Sequence, residues 1–255
     1  MDWELRLLGC WQLLRNGASA VVGSRQQRLI SALALMGPRP RSYLAGLLWP
    51  ESNDHQAAGS LRATVFKVRH QLPGLLSDTL EPVGLAQDVV IDLRTLRQSA
   101  ELARTGRYIE PGLDEVLYTA ELLPGWYEDW VIFEQERLRA FRVSTLEAIA
   151  AQYLRRNEPD FALAAAQQAA ALEPLRESAQ VLMVRAQIET GNTAAAHRTL
   201  EEFRRRLRDE LGLEPSGRLK AAVGGSAGDL LGLPAPVLGQ QRTRLAAHRQ
   251  LSKGI

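Results

Sequence analysis

Cysteine is almost absent: the 255 residues hold one, Cys10. A single thiol excludes an internal disulfide and fits a reducing cytoplasm. Within its strand-like apolar run, Cys10 reads as a core residue. No stretch of about 18 apolar residues occurs, so no membrane span or membrane partner is expected. The start, MDWELRLLG, is acidic and has no basic n-region, so it does not read as a secretory signal. The four histidines, at 55, 70, 197 and 248, are scattered, and no H-E-x-x-H or cysteine pair offers metal ligands. Neither a G-x-x-x-x-G-K-[ST] phosphate loop nor a G-x-S-x-G elbow is present. Glu134/Glu136 and Glu201/Glu202 read as solvated charge on helix faces rather than paired catalytic carboxylates. These absences argue against an enzyme. No cofactor and no metal are expected.

What is there is the balance of an ordinary globular chain, with 45% apolar and 24% charged residues and a net charge of +2. That charge is unevenly spread. Residues 1–72 carry nine Lys/Arg against four acids, which places the basic footprint at the N-terminal end. Within it, His55–Leu72 (HQAAGSLRATVFKVRHQL) has no acidic residue. Leu61, Val65, Val68 and Leu72 recur at the spacing of one helical face. Ser60, Arg62, Thr64, Phe66, Lys67, Arg69 and His70 fill the rest of the circumference. A helix with one apolar stripe and a cationic outer surface suits a phosphate-lined groove. A solvated surface helix shows the same pattern, and the neighbouring segments argue for the groove.

In chain order, Trp3–Leu8, Trp11–Arg15 and Val21–Val22 read as short strands. Asn16-Gly17 marks a hairpin turn, because both its central positions need positive φ. Ser24 is placed to cap a helix over Arg25–Met36, which Gly37-Pro38-Arg39-Pro40 ends. Ser42 is placed to cap a short helix over Tyr43–Trp49, with Leu44, Leu47 and Leu48 inward. After the turn at 50–54 comes the basic helix, completing a helix-turn-helix. Thr79–Val83 and Asp88–Leu93 can pair across Gly84 as a wing. Residues 1–93 therefore read as a winged helix-turn-helix: small antiparallel sheet, three helices, C-terminal hairpin.

Residues 94–222 read as all-α. Helices are expected over Thr95–Thr105, Leu113–Leu123, Val131–Arg156, Asp160–Leu172, Arg176–Thr190 and Thr193–Leu211. Trp126, Tyr127 and Trp130 form an aromatic cluster, read as packing, with a ligand cage as the alternative. Asn157 and Gly191 stand 34 positions apart, and at the same offset Ala162 matches Ala196, Ala166 matches Leu200 and Ala169 matches Phe203. That is the tetratricopeptide (TPR) period, with small residues where adjacent helices must approach. Residues 223–255 form a Gly/Pro-rich basic tail, expected to be disordered, with a short basic helix over 240–251. The fold class is mainly α with a small β component.

ELRLLGCWQLLRNG (4–17), RQQRLISALAL (25–35), LAGLLWPES (44–52) and VFKVRHQL (65–72) resemble the OmpR-like winged helix of the SARP group of bacterial transcriptional activators. LLPGWYEDWVIFEQERLR (122–139), EPLRESA (173–179) and LRDELGLEPS (207–216) resemble that group's bacterial transcriptional activator domain, in the same order. The resemblance implies an activator that binds promoter double-stranded DNA, at direct repeats, as a pair of molecules, and recruits RNA polymerase. It implies a cytoplasmic, nucleoid-associated protein. It maps the usual basic positions near the end of the recognition helix onto Lys67 and Arg69.

The wheel adds Arg62 and Thr64 outside the core stripe, with Ser60 and His70 completing the DNA-binding set. Arg62 and Lys67 are expected to read bases, and Thr64 and Arg69 to hold phosphates. Two features depart from the group. Phe66 stands where a small polar residue is common, and VGLAQDVVIDL (83–93) lacks the Gly-Gly-Tyr and basic residues of a typical wing. They support the alternative of a protein–protein adaptor with a degenerate winged helix and a TPR-like docking surface. A ligand-sensing role for the helical half rests on the aromatic cluster alone.

Overall fold

The computed structural model describes residues 2–224. The expected basic tail lies outside them, apart from its first two residues.

The chain opens with three strands, β1 (Trp3–Arg6), β2 (Gln12–Arg15) and β3 (Ala18–Ser19), and the sheet is completed far downstream by β4 (Val90–Ile91). Its order is β3-β2-β1-β4. β1 and β2 are antiparallel, with Trp3 opposite Arg15 and Leu5 opposite Leu13. Asn16 and Gly17 turn between β2 and β3 with φ of 50° and 82°, the left-handed pair that the turn requires. Val21 and Val22 are not a strand. The chain leaves the sheet after Ser19, Val21 points fully into solvent, and only Val22 enters the core.

Three helices follow: α1 (Ser24–Met36), α2 (Arg41–Leu48) and α3 (Asp54–Gln71). Ser24 does not cap α1. Gly23 is the cap residue, and the Gln26 side-chain oxygen accepts its N–H at 3.1 Å. Gly37, at φ 75°, ends the helix. Ser42 does not cap α2 either. That helix starts at Arg41, whose N–H donates to a Glu81 carboxylate oxygen at 2.9 Å. A distant carboxylate thus occupies the positive end of the helix. Within α2, Leu44 and Leu48 are buried and Leu47 is half-buried.

The expected hairpin of 79–83 with 88–93 does not form. Val83 exchanges both backbone hydrogen bonds with Arg39, at 2.9 and 3.0 Å, and so is lost to a partner at 88–93. Leu76 bridges Leu85 instead, and Val90–Ile91 pairs in parallel with Glu4–Leu5. The residues read as a wing therefore serve as a strap over α2 and α3 and as an edge of the first sheet.

The helical half comprises α4 (Asp92–Arg104), α5 (Leu113–Thr119), α6 (Asp129–Arg155), α7 (Pro159–Leu172), α8 (Glu177–Glu189), α9 (Thr193–Leu211) and α10 (Gly217–Gly224). Five expected helices appear within a few residues of their expected bounds. α5 is shorter, because the buried guanidinium of Arg142 takes the carbonyls of Leu117 and Tyr118 and residues 121–123 pair elsewhere. α10 was not expected. Its Leu219 and Ala222 pack on the apolar side of α8 and α9 with Val184, Ala196 and Phe203. Ala162, Ala166, Ala169 and Ala196 are fully buried at the helix contacts.

The two halves are stitched at the end of β1. Gly9 N–H donates to Glu121 O at 2.7 Å, Leu123 N–H to Leu7 O at 2.8 Å. Asp92 accepts from the N–H groups of Leu7 and Leu8 at 2.8 and 2.9 Å. The first hydrophobic core runs on from the sheet and α1–α3 into Leu122, Trp130, Val131 and Leu138. Of the aromatic cluster, Trp130 is packed in that core, Trp126 lies half-buried against it, and Tyr127 is 82% exposed. Cys10 is exposed at the bend between β1 and β2, not in the core.

Candidate nucleic-acid interface

α3 is held by its cap and its stripe. Asn53 accepts the Gln56 N–H at 2.9 Å, and Leu61, Val65, Val68 and Leu72 are all buried, as their spacing predicts. Each such side chain stabilises the seat by roughly 1.5–3 kcal/mol. Asp54 sits in the first turn, at the favourable end of the helix dipole, and the remaining length carries no acid.

The six expected site residues separate into three groups. Arg62 and Lys67 are exposed and have no ion pair or hydrogen bond among the described residues. They are free for an anionic partner. Ser60 and His70 are available on the same helix, half-buried and exposed respectively, although His70 Nδ1 donates to Phe66 O at 2.9 Å.

Thr64 and Arg69 are placed differently from the expectation. Thr64 is buried, and its hydroxyl donates to Ser60 O at 2.8 Å. It packs towards α1 because its position falls beside Leu61 and Val68 on the wheel. Arg69 is half-buried, and its Nη2 donates to Ser77 O at 3.2 Å and Thr79 O at 2.9 Å, anchoring the strap. Protein carbonyls thus take the Thr64 hydroxyl and the Arg69 Nη2.

Tertiary packing adds groups that the helix pattern did not single out. Gly23, Ser24, Arg25 and Gln26, at the start of α1, face Ser60, Ala63, Thr64 and Lys67 across a cleft of about 330 Å³. Arg25 thereby joins Lys67 at one side of α3. Gln26 is buried, and its amide donates to Gln71 Oε1 at 2.8 Å, fixing α1 against the end of α3. The spacing of Gly23 and Gln26, cap and third helical position, was the signal that could have found it. Nothing local marks Arg25.

Glu134 is not a surface charge: it is 2% exposed and bonded to Arg137 Nη1 at 2.6 Å. Among the described residues, no group of three or more His, Cys, Asp or Glu could hold a metal ion, and no helix is long and apolar enough to cross a membrane.

A helix-turn-helix that leaves Arg62 and Lys67 exposed, fused to a stack of paired helices, defines a class: two-part chains with a helix-turn-helix module and a TPR-like second half. The model of the bacterial transcriptional activator domain matches residues 86–223, more than half of the chain. The chain belongs to that family and is of the SARP type. It is 28% identical over 225 residues to the regulatory protein AfsR of Streptomyces coelicolor, covering 82% of this chain and 22% of AfsR. Its fold matches that of Mycobacterium tuberculosis EmbR, solved in complex with a low-affinity phosphopeptide. The TM-score is 0.71 at 19% identity, over 87% of this chain and 64% of that one. The chain thus spans about a fifth of one relative and just under two thirds of the other.

Proposed function

We propose that this SARP-type regulator binds promoter DNA by laying α3 along the major groove, and activates transcription by contacting RNA polymerase. The observation that carries the reading is the pair Arg62 and Lys67, exposed and unpaired among the described residues on a helix that has no acid beyond its first residue. An unpaired cation on a packed scaffold is the group that phosphates and base edges recruit. Arg62 is assigned to a base edge, where its fork can meet guanine O6 and N7. Lys67, beside Arg25 and the start of α1, is assigned to a phosphate. Ser60 and His70 are auxiliary contacts. Binding of two molecules at direct repeats, and a cytoplasmic, nucleoid-associated location, belong to the same proposal.

The test is a salt titration of the full chain on duplex from its own promoter region and on random duplex. Specific reading gives a steep salt slope and a clear preference for the promoter. Equal, weak binding to both rejects it.

A second reading, a protein–protein adaptor, is favoured by the exposed ring of Phe66 and by the short pairing after α3, which bridges Leu76 to Leu85 in place of the expected 79–83 and 88–93 strands. It predicts no promoter preference at any salt concentration.

A further inference from the structure

The face of α3 directly opposite its core is not the cationic one. A helix turns about 100° per residue. With Ala57, Leu61, Thr64, Val65 and Val68 buried on one side, the opposite side falls to Gly59, Ala63, Phe66 and His70. Arg62 and Lys67 flank that strip, one on each edge. A rod entering the major groove therefore aims Gly59, Ala63 and Phe66 at the centre of the floor, with Arg62 beside them at a base edge and Lys67 on the other side towards a phosphate.

Phe66 dominates the strip. It is 61% exposed. The ring is also held in place. The His70 ring lies 3.8 Å from it, tilted by 32°, and His70 Nδ1 donates to the Phe66 carbonyl. Ahead of it, Ala63 adds only a methyl, and a Cβ at Gly59 would meet only the Arg62 guanidinium tip, at 3.9 Å. The backbone can come close and the ring projects beyond it. The chief apolar feature on the floor of a major groove is the C5-methyl of thymine, and Phe is among the side chains that meet it.

We propose that Phe66 is a specificity-determining residue that reads a thymine C5-methyl, with Arg62 and Lys67 holding the groove on either side. The proposal rests on the DNA-binding reading above. The charge pattern selects this occupant: an apolar strip bordered by unpaired cations fits a methyl-studded polyanion better than an apolar protein surface.

The experiment starts by selecting preferred duplexes from a random-sequence pool with the full chain. Each thymine of the winning duplex is then replaced singly by deoxyuridine, which removes the methyl and nothing else. The wild type is expected to lose about fourfold in affinity at one or two positions, the effect of one buried methyl. Phe66→Ala is expected to bind thymine and deoxyuridine duplexes equally at those positions, while keeping random-duplex affinity within about twofold. A wild type indifferent to every deoxyuridine overturns the proposal and leaves DNA binding standing; this arm needs no variant. A Phe66→Ala chain that keeps the penalty overturns it too, by assigning the methyl to another residue. Selection that enriches no sequence overturns both this proposal and the reading beneath it.

Discussion

The guanidinium of Arg69 donates to the carbonyl of Thr79 at 2.9 Å, closing the segment that leaves α3 back onto the helix itself. The same segment supplies Glu81 to the start of α2 and Val83 to the backbone of Arg39. One strap thus fixes the two helices of the helix-turn-helix relative to each other. Arg69, on the second helix of the helix-turn-helix, holds the protein's own strap.

Arg69→Ala should therefore act on stability first. Losing hydrogen bonds from a charged donor to two carbonyls should lower the unfolding free energy by about 1–3 kcal/mol, read from a urea transition at unchanged slope. A phosphate-binding Arg69 would leave the midpoint where it is and weaken DNA binding alone.

Arg62 and Lys67 should separate in their effects on DNA. Arg62→Ala should weaken binding to a preferred duplex by about 1–3 kcal/mol while random-duplex affinity barely moves. Lys67→Ala should weaken both duplexes alike and reduce the salt slope by about 1. Fluorescence anisotropy at several salt concentrations reads both. Equal losses for Arg62→Ala on the two duplexes would move that residue to the backbone.

Asp92 predicts a pH dependence at the seam. Burial raises its carboxyl above the ordinary value of 3.8, against the opposing pull of the Leu8, Leu7 and Leu93 N–H groups. The folded state then holds the proton over an interval just above 3.8 where the unfolded chain has released it. Its contribution to stability falls as pH rises through that interval and is level beyond it. Measured against Asp92→Asn, wild-type stability should fall across this window and then run flat. A difference that rises with pH would contradict the assignment.

The repeat makes a backbone prediction. Asn157 and Gly191, 34 residues apart, both adopt left-handed φ, 59° and 76°. A Cβ at Gly191 would meet nothing within 4 Å, so any penalty there comes from the backbone alone. Gly191→Ala should cost about 1–2 kcal/mol, whereas Asn157→Gly should be close to neutral. Thermal melts of the two variants check this; a neutral Gly191→Ala would show that the turn relaxes.

The sequence by itself determined what is decided within a few residues. The left-handed Asn16-Gly17 pair follows from which residues tolerate positive φ. The bounds of α9 and the seat of Leu61, Val65 and Val68 follow from the 3.6-residue period. The 34-residue offset of small residues foretold the packed alanines of the helical half. Tertiary structure alone decided the partners. Arg69 shares the sequence signature of Arg62 and Lys67, yet it folds onto Ser77 and Thr79. Val83 pairs with Arg39 rather than across Gly84, and Val90–Ile91 joins the first strand of the chain. The physical reason is that local rules fix φ and which face is apolar. The choice of hydrogen-bond partner is a competition between segments, from 8 to 10 residues apart for Arg69 with Ser77 and Thr79 to 86 apart for Glu4 with Val90, resolved only once the core brings them together.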